Sequence, residues 1–215
     1  MKQVEHGGSL LVLFDLNGTL VDDLDRALSA TNDVLTGFGL RNLDAPGFRA
    51  SFTLPLGSWL RTLGVPEHAV PAAEARWSEG METPCPLREG AAEILEYLRR
   101  EGAVTGVVSA VGPRAMRRDL RRHGLLPLLD HVYGGVSEKA PLLRELAAGF
   151  ASAYYVGDTA YDVTSAREAG ITSVALSGGH QLRADLLRAD PDCLVESLTD
   201  VGNVVRRGEA APGQP

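Results

Sequence analysis

Cysteine is nearly missing from this 215-residue chain: Cys85 and Cys193 are the only two. They lie far apart and match no metal spacing, which argues against a disulfide framework or a zinc site. The five histidines form no ligand pattern either. Lysine is as scarce, with Lys2 and Lys139 alone among 21 basic residues, so Arg supplies almost all the positive charge. The lone internal Lys139 invites a specific explanation, chance in an Arg-favouring composition being the alternative. No apolar run approaches the ~20 residues of a membrane span, and the opening MKQVEHGG lacks the apolar stretch of a signal peptide. A cytoplasmic protein without a membrane partner is expected. The net charge of −7 provides no broad cationic surface for phosphate backbones, so nucleic acid is not an expected partner. Part of the excess acid can instead belong to the site of a bound divalent cation.

What is present is an alternation of apolar runs and helical patterns. Hydrophobic residues at 44% and charged residues at 23% suit one substantial core with a modest insertion. Five apolar residues lead into Asp15 within LLVLFDLNGTLVDD, residues 10–23. A buried strand followed by a carboxylate places that group where open α/β sheets bind their ligands. A helix follows, with Asp22 or Asp23 as its cap, Leu24, Ala27, Leu28, Thr31 and Leu35 at helical spacing, and Gly37 and Gly39 at its end. Residues 41–86 are punctuated by six prolines, with helical patches at 58–63 and 72–81, and read as a small helical insertion. From Arg88 onward a helix closed by Gly102 precedes a strand at 104–108 with Ser109 at its end. A helix at 114–123, a short strand at 131–133, a helix opening near Pro141, and a strand at 153–156 running into Gly157 and Asp158 come next. A helix at 161–169, a strand at 172–176 and a last β-like segment at 193–195 complete the pattern. This alternation implies a mainly parallel sheet covered on both faces. The expected organisation is an α/β core over residues 9–21 and 87–203, a helical cap over 22–86 and a disordered tail over 204–215.

Asp15, Ser109 and Asp158 each follow an apolar strand, and Lys139 opens a helix. Singly, each has an ordinary reading as a turn residue, a helix cap, an acidic loop or a solvated surface group. Their order changes the odds. DLNGT at residues 15–19, the strand-terminal Ser109, Lys139 within VSEKAP, and GDTAYD at residues 157–162 together resemble the four motifs of the haloacid dehalogenase superfamily of phosphatases and phosphotransferases. The resemblance spans nearly the whole chain and is similar to phosphoglycolate-phosphatase-like members with a small helical cap after the first strand. It implies a Rossmann-like three-layer α/β sandwich and a Mg²⁺-dependent phosphohydrolase of a small phosphorylated metabolite, as monomer or homodimer. By that resemblance Asp15 attacks phosphorus to give an aspartyl-phosphate, and Asp15, Asp158, the Asn17 backbone carbonyl and Asp162 hold the metal, Asp162 through a water or by orienting Lys139. Lys139 pairs with the nucleophile and the phosphate, while Gly18, Thr19, Ser109, Ala110 and nearby amides receive the transferring group. Mg²⁺ suits such a set because it favours oxygen ligands and retains several waters.

One residue departs from the family pattern. The position two residues after the nucleophile, an acid–base Asp in the family, is Asn17 here. An amide cannot exchange a proton as a carboxyl group does, and loss of that help costs about 10² to 10⁴ in rate. Three readings follow: a substrate with a good leaving group such as an acyl phosphate, a substitute acid such as Asp22, Asp23 or a cap residue, or a phosphoryl-ligand binding or regulatory protein with weak or no turnover. A phosphonatase-like Schiff base is set aside because no lysine lies between Lys2 and Lys139, and a metal-free dehalogenase is a minor alternative because GDTAYD is intact. In the insertion, FTLPLGSWLRTLGV with Arg49, Arg61 and Trp59 is the candidate for substrate contacts, although Trp59, Leu60 and Leu63 equally suit a core.

Overall fold

The computed structural model describes residues 10–209. Lys2 and the terminal residues 210–215 lie outside the described residues. Six strands form one parallel sheet: β1 (Leu10–Phe14), β2 (Val104–Ser109), β3 (His131–Gly134), β4 (Ser152–Gly157), β5 (Thr172–Leu176) and β6 (Cys193–Val195). Their order, β3-β2-β1-β4-β5-β6, is the 3-2-1-4-5-6 order of the doubly wound α/β fold. The chain reverses direction across the sheet between β1 and β4, so the carboxyl ends of these two neighbours flank the crevice where such sheets place ligands.

The continuous apolar run of β1 is explained by its central place. Leu10, Val12 and Phe14 enter the core on one face with α5 (Ala91–Arg100), α6 (Pro113–Arg122) and α10 (Leu198–Glu209). Leu11 and Leu13 enter the core on the other face with α7 (Lys139–Ala147) and α8 (Ala160–Ala169). A strand covered on both faces needs apolar residues at every position, not at alternate ones. The α/β three-layer arrangement expected from the sequence is therefore observed.

Between β1 and α5 the chain builds α1 (Leu24–Gly37), α2 (Ala45–Ser51), α3 (Leu56–Thr62) and α4 (Val70–Gly80). These helices bury their own cluster, with Ala27, Ala30 and Val34 of α1 against Phe48, Trp59, Leu60, Val70 and Ala73. The small residues on α1 admit close approach; at Gly80 a Cβ would overlap that of Ala30. The helix α2 was not foreseen although its signals are ordinary: Asp44 accepts from the Gly47 amide at 2.8 Å, and Pro46 sits in the first turn. The helix α9 (Arg183–Arg188) was likewise missed. The tail expected from residue 204 is corrected, because α10 continues to Glu209 and Leu198, Val201 and Val205 bury one face of it in the main core. No helix among the described residues is long and apolar enough to cross a membrane.

Candidate active site

Strand ends on one edge of the sheet deliver the polar groups. Asp15 follows β1, Ser109 closes β2, Asp158 follows β4, and Lys139 begins α7. Lys139 is 1% exposed, and its Nζ donates to Asp15 Oδ1 at 2.9 Å and to Asp162 Oδ1 at 2.6 Å. It also lies 5.4 and 5.7 Å from the centres of the Tyr155 and Tyr161 rings. Burial opposes the charge on Lys139, but Asp15 and Asp162 overcome it and hold its pKa well above the ordinary value. Asp162 is itself fixed by the start of α8: its Oδ2 accepts from Thr159 N at 3.1 Å and Thr159 Oγ1 at 2.6 Å, and its own N–H donates to Thr159 Oγ1 at 3.3 Å, which closes a capping box. A local helix-start signal thus aims the other carboxylate oxygen at Lys139.

Oxygens of Asp15, Asp158 and Asp162 come within 4.8 Å of one another. Asp158 is fully buried and accepts from Thr19 Oγ1 at 3.0 Å and from the His180 amide at 2.7 Å. Thr19 and Gly18, expected at the phosphate turn, do not themselves line the cavity. Thr19 is completely buried and gives its hydroxyl to Asp158. Gly18 has a φ of +72°, and a Cβ there would overlap the Asp158 carboxylate. Its missing side chain makes room for Asp158. Ser109 and Ala110, by contrast, line the same cavity as Asp15, Asn17 and Lys139.

The second cluster centres on Asp23, which the sequence offered as a helix cap. Asp23 does occupy that position but makes no capping hydrogen bond. Its carboxylate accepts from Asn17 Nδ2 at 2.6 Å, Gly18 N at 2.8 Å, Arg26 Nη2 at 2.9 Å and His180 Nε2 at 3.0 Å. Burial alone would raise its pKa, yet His180, Arg26 and Asn17 hold it at about 2. Asp23 is therefore an anion at neutral pH and cannot lend a proton in place of Asn17. Asp22 is exposed and absent from the cavity wall. Burial disfavours the charged ring of His180 as well, but Asp23 and then Asp158 raise it to about 9. Neither His180 nor Arg26 carried a recognisable signal, although His180 follows the carboxyl end of β5 on the same sheet edge.

Asp15 is pushed up to about 6, chiefly by burial, with Lys139 pulling the other way. Asp158 is raised for the same first reason. Asp15, Asp23, Asp119, Asp158 and Asp162 are five buried carboxyl groups gathered about three cationic side chains, Lys139, Arg26 and His180. Full ionisation leaves two negative charges unmatched, and the donors facing one another are hard oxygens. A divalent cation of the Mg²⁺ type fits that charge and that donor set.

The cavity above Asp15 has a volume of about 260 Å³. The segment FTLPLGSWLRTLGV divides there: Phe52, Leu54 and Leu56 reach the cavity, whereas Trp59 and Leu60 are wholly buried in the helical cluster. Arg61 is exposed and paired with Glu67, away from the cavity. Arg49 reaches the main sheet, donating to the Gly179 carbonyl at 3.0 Å, and Gln181 Nε2 donates to the Phe52 carbonyl at 2.7 Å. These two contacts, with the Phe48 and Phe52 rings edge-on to His180, seat the helical layer on the β5–α9 loop.

Residues 12–176 match the family of haloacid dehalogenase-like hydrolases. The chain is 29% identical over 204 residues to the phosphoglycolate phosphatase of Synechococcus elongatus, covering 88% of this chain and 94% of that protein. It is 30% identical over 203 residues to the phosphoglycolate phosphatase of Xanthomonas campestris pv. campestris, with coverages of 86% and 91%. The solved structure of a haloacid dehalogenase-like family hydrolase from Streptococcus pneumoniae superposes with a TM-score of 0.79 at 24% identity, covering 92% of this chain and 99% of that one. That likeness shares the fold.

Proposed function

The chain belongs to the haloacid dehalogenase-like hydrolases and is a phosphatase, and we propose that it hydrolyses a small phosphorylated metabolite through Asp15, with Mg²⁺ as cofactor, in the cytoplasm. The observation that carries this reading is Lys139 Nζ held between Asp15 Oδ1 at 2.9 Å and Asp162 Oδ1 at 2.6 Å, at the floor of the cavity shared with Ser109. The unpaired thiols of Cys85 and Cys193 suit a reducing compartment.

In the proposed reaction an Asp15 oxygen bonds to phosphorus while the ester oxygen departs, leaving an aspartyl-phosphate. Water then attacks phosphorus, inorganic phosphate leaves, and the Asp15 carboxylate is restored. Lys139 neutralises the nucleophile and one phosphoryl oxygen, and Asp162 keeps it aimed. Ser109 and the backbone at Ala110 orient the phosphoryl group. When bound by Asp15, Asp158, the Asn17 carbonyl and Asp162, Mg²⁺ supplies positive charge against the phosphoryl oxygens. Asn17 gives the departing oxygen no proton, and Asp23 is ionised, so turnover is faster for esters whose leaving group tolerates negative charge.

Phosphate release from p-nitrophenyl phosphate, measured with Mg²⁺ and with EDTA, tests the reading. Native turnover is expected to fall by roughly 10³ or more in Asp15→Ala and on chelation. Turnover that survives Asp15→Ala would assign the chemistry elsewhere.

A further inference from the structure

The cavity has two unlike halves. Its floor is the polar edge of the sheet, with Asp15, Asn17, Ser109, Lys139, Thr159 and His180. Its wall and roof are largely carbon: Phe52, Leu54, Leu56 and Trp77 come from the helical layer, and Val111 and Pro113 from the turn into α6, while Ser78 at the rim donates its hydroxyl to the Glu74 carbonyl at 2.8 Å. Trp77 spends its one polar atom elsewhere, donating Nε1 to Thr31 Oγ1 at 3.1 Å, so this N–H is already satisfied away from a ligand. Only two charged side chains border this half. Arg114 and Glu82 are both exposed and opposite in sign, and Glu82 also pairs with Arg118 at 3.3 Å.

Resting on the phosphatase reading above, we infer that the substrate is the phosphate ester of an apolar, single-ring hydroxyl compound whose oxygen tolerates negative charge, with no second anionic group. A carboxylate placed beside the ester, as in phosphoglycolate, would exchange water for Phe52, Leu54, Leu56 and Trp77 with no buried donor to receive it. An apolar group gains from the same surfaces in proportion to the area it removes from water. The volume of about 260 Å³ lies below the roughly 300–1,000 Å³ of drug-sized sites, which limits the group to about one ring. This selection differs from the activity named for the similar phosphoglycolate phosphatases, and it resides in the helical layer, not in the sheet-edge residues.

Benzyl phosphate, 3-methylbutyl phosphate and 2-phosphoglycolate are all esters of primary alcohols, so comparing them holds the leaving-group type nearly constant. With Mg²⁺, kcat/KM for either apolar ester is expected to exceed that for 2-phosphoglycolate by about tenfold or more, mainly through KM, since one methylene in an apolar pocket is worth ~10–200-fold. Trp77→Ala should raise KM for benzyl phosphate by a larger factor than for 2-phosphoglycolate. Leu56→Arg, at the half-buried start of α3 from which a long side chain can reach water, should shift the preference toward 2-phosphoglycolate. Its circular dichroism should match the native protein. A native preference for 2-phosphoglycolate, or equal rates, overturns the inference while leaving the phosphatase reading intact. Absence of turnover on p-nitrophenyl phosphate as well would defeat the phosphatase reading and the inference with it.

Discussion

Replacing Asn17 by Asp is the most informative single change in this protein. Asn17 Nδ2 lies 2.6 Å from Asp23 Oδ2, so the substitution puts two carboxyl oxygens at that separation. Two full charges about 3 Å apart repel by about 5 kcal/mol at an effective dielectric near 20, equivalent to roughly four pK units. Arg26 and His180, which already face Asp23, offset part of this. The pair therefore keeps one proton near neutral pH, and residue 17 holds it because Asp23 is the stronger acid, with its pKa held at about 2. A protonated carboxyl then stands on the cavity wall where an amide stood. For an alkyl phosphate such as benzyl phosphate, kcat should rise by about 10² to 10⁴ in Asn17→Asp. For p-nitrophenyl phosphate, whose anion leaves unaided, the change should stay within a few-fold. The gain should fade as pH rises through the raised pKa of the pair. The variant should also lose stability relative to the native protein as pH rises above about 4, because the folded state binds the extra proton more tightly than the unfolded chain. An equal change for both substrates, or none for the alkyl ester, would refute the account of Asn17 as the missing acid.

Three further outcomes follow from the same geometry. Asp15 protonates with a midpoint of about 6 in the absence of metal, so Mg²⁺ must displace that proton, and calorimetry should show affinity weakening about tenfold per unit as pH falls below 6; constant affinity between pH 5 and 7 would contradict it. His180 is raised from 6.5 to about 9 by Asp23. The stability it contributes, about 3 kcal/mol, is complete below pH 6.5 and disappears as pH rises through 9. Urea denaturation in EDTA should show that alkaline decline in the native protein and not in His180→Asn. The Asp23 side of the pair acts in the opposite range, its contribution being present above about pH 4 and lost as pH falls toward 2. Lys139→Met leaves Asp15 and Asp162 without their shared cation and should cost about 3–5 kcal/mol of unfolding free energy. Saturating Mg²⁺ should restore part of that loss, and a variant as stable as the native protein without metal would contradict the buried-pair reading.

The parts of the fold that the sequence revealed are those in which local pattern and final environment coincide. LLVLF reads as a doubly covered strand because five consecutive apolar residues have no other economical use, and it is the central strand β1. Asp15, Lys139, Asp158 and Asp162 converge because parallel strands with intervening helices bring their carboxyl ends to one edge, whatever the loops do. Asp23 was illegible for the converse reason. Its local context is that of a helix cap, and the partner that diverts it, His180, lies 157 residues away. The partner of Thr19 was hidden in the same way, since its adjacency to Gly18 marks a turn while its hydroxyl serves Asp158 across 139 residues. Of the two tryptophans, Trp59 sits within the candidate contact segment yet is core, and Trp77 beyond it faces the cavity. Sequence spacing alone cannot order residues on helices whose mutual packing is unknown.

The sheet edge and the helical layer thus carry different kinds of information. Polar groups at strand ends are fixed by covalent position on a rigid sheet, and their ion pairs are buried, so a change such as Asn17→Asp alters charge without altering where the groups stand. The apolar wall is set by how α2, α3 and α4 lie over that edge, and only a few contacts seat it, among them Arg49 on the Gly179 carbonyl and Gln181 on the Phe52 carbonyl. Substitutions in the wall should therefore redistribute preference among phosphate esters while the response to Asp15→Ala and to Asn17→Asp persists. Correlated loss of both properties in Leu56→Arg would mean that the wall also positions the floor, and the separation of chemistry from selectivity would have to be abandoned.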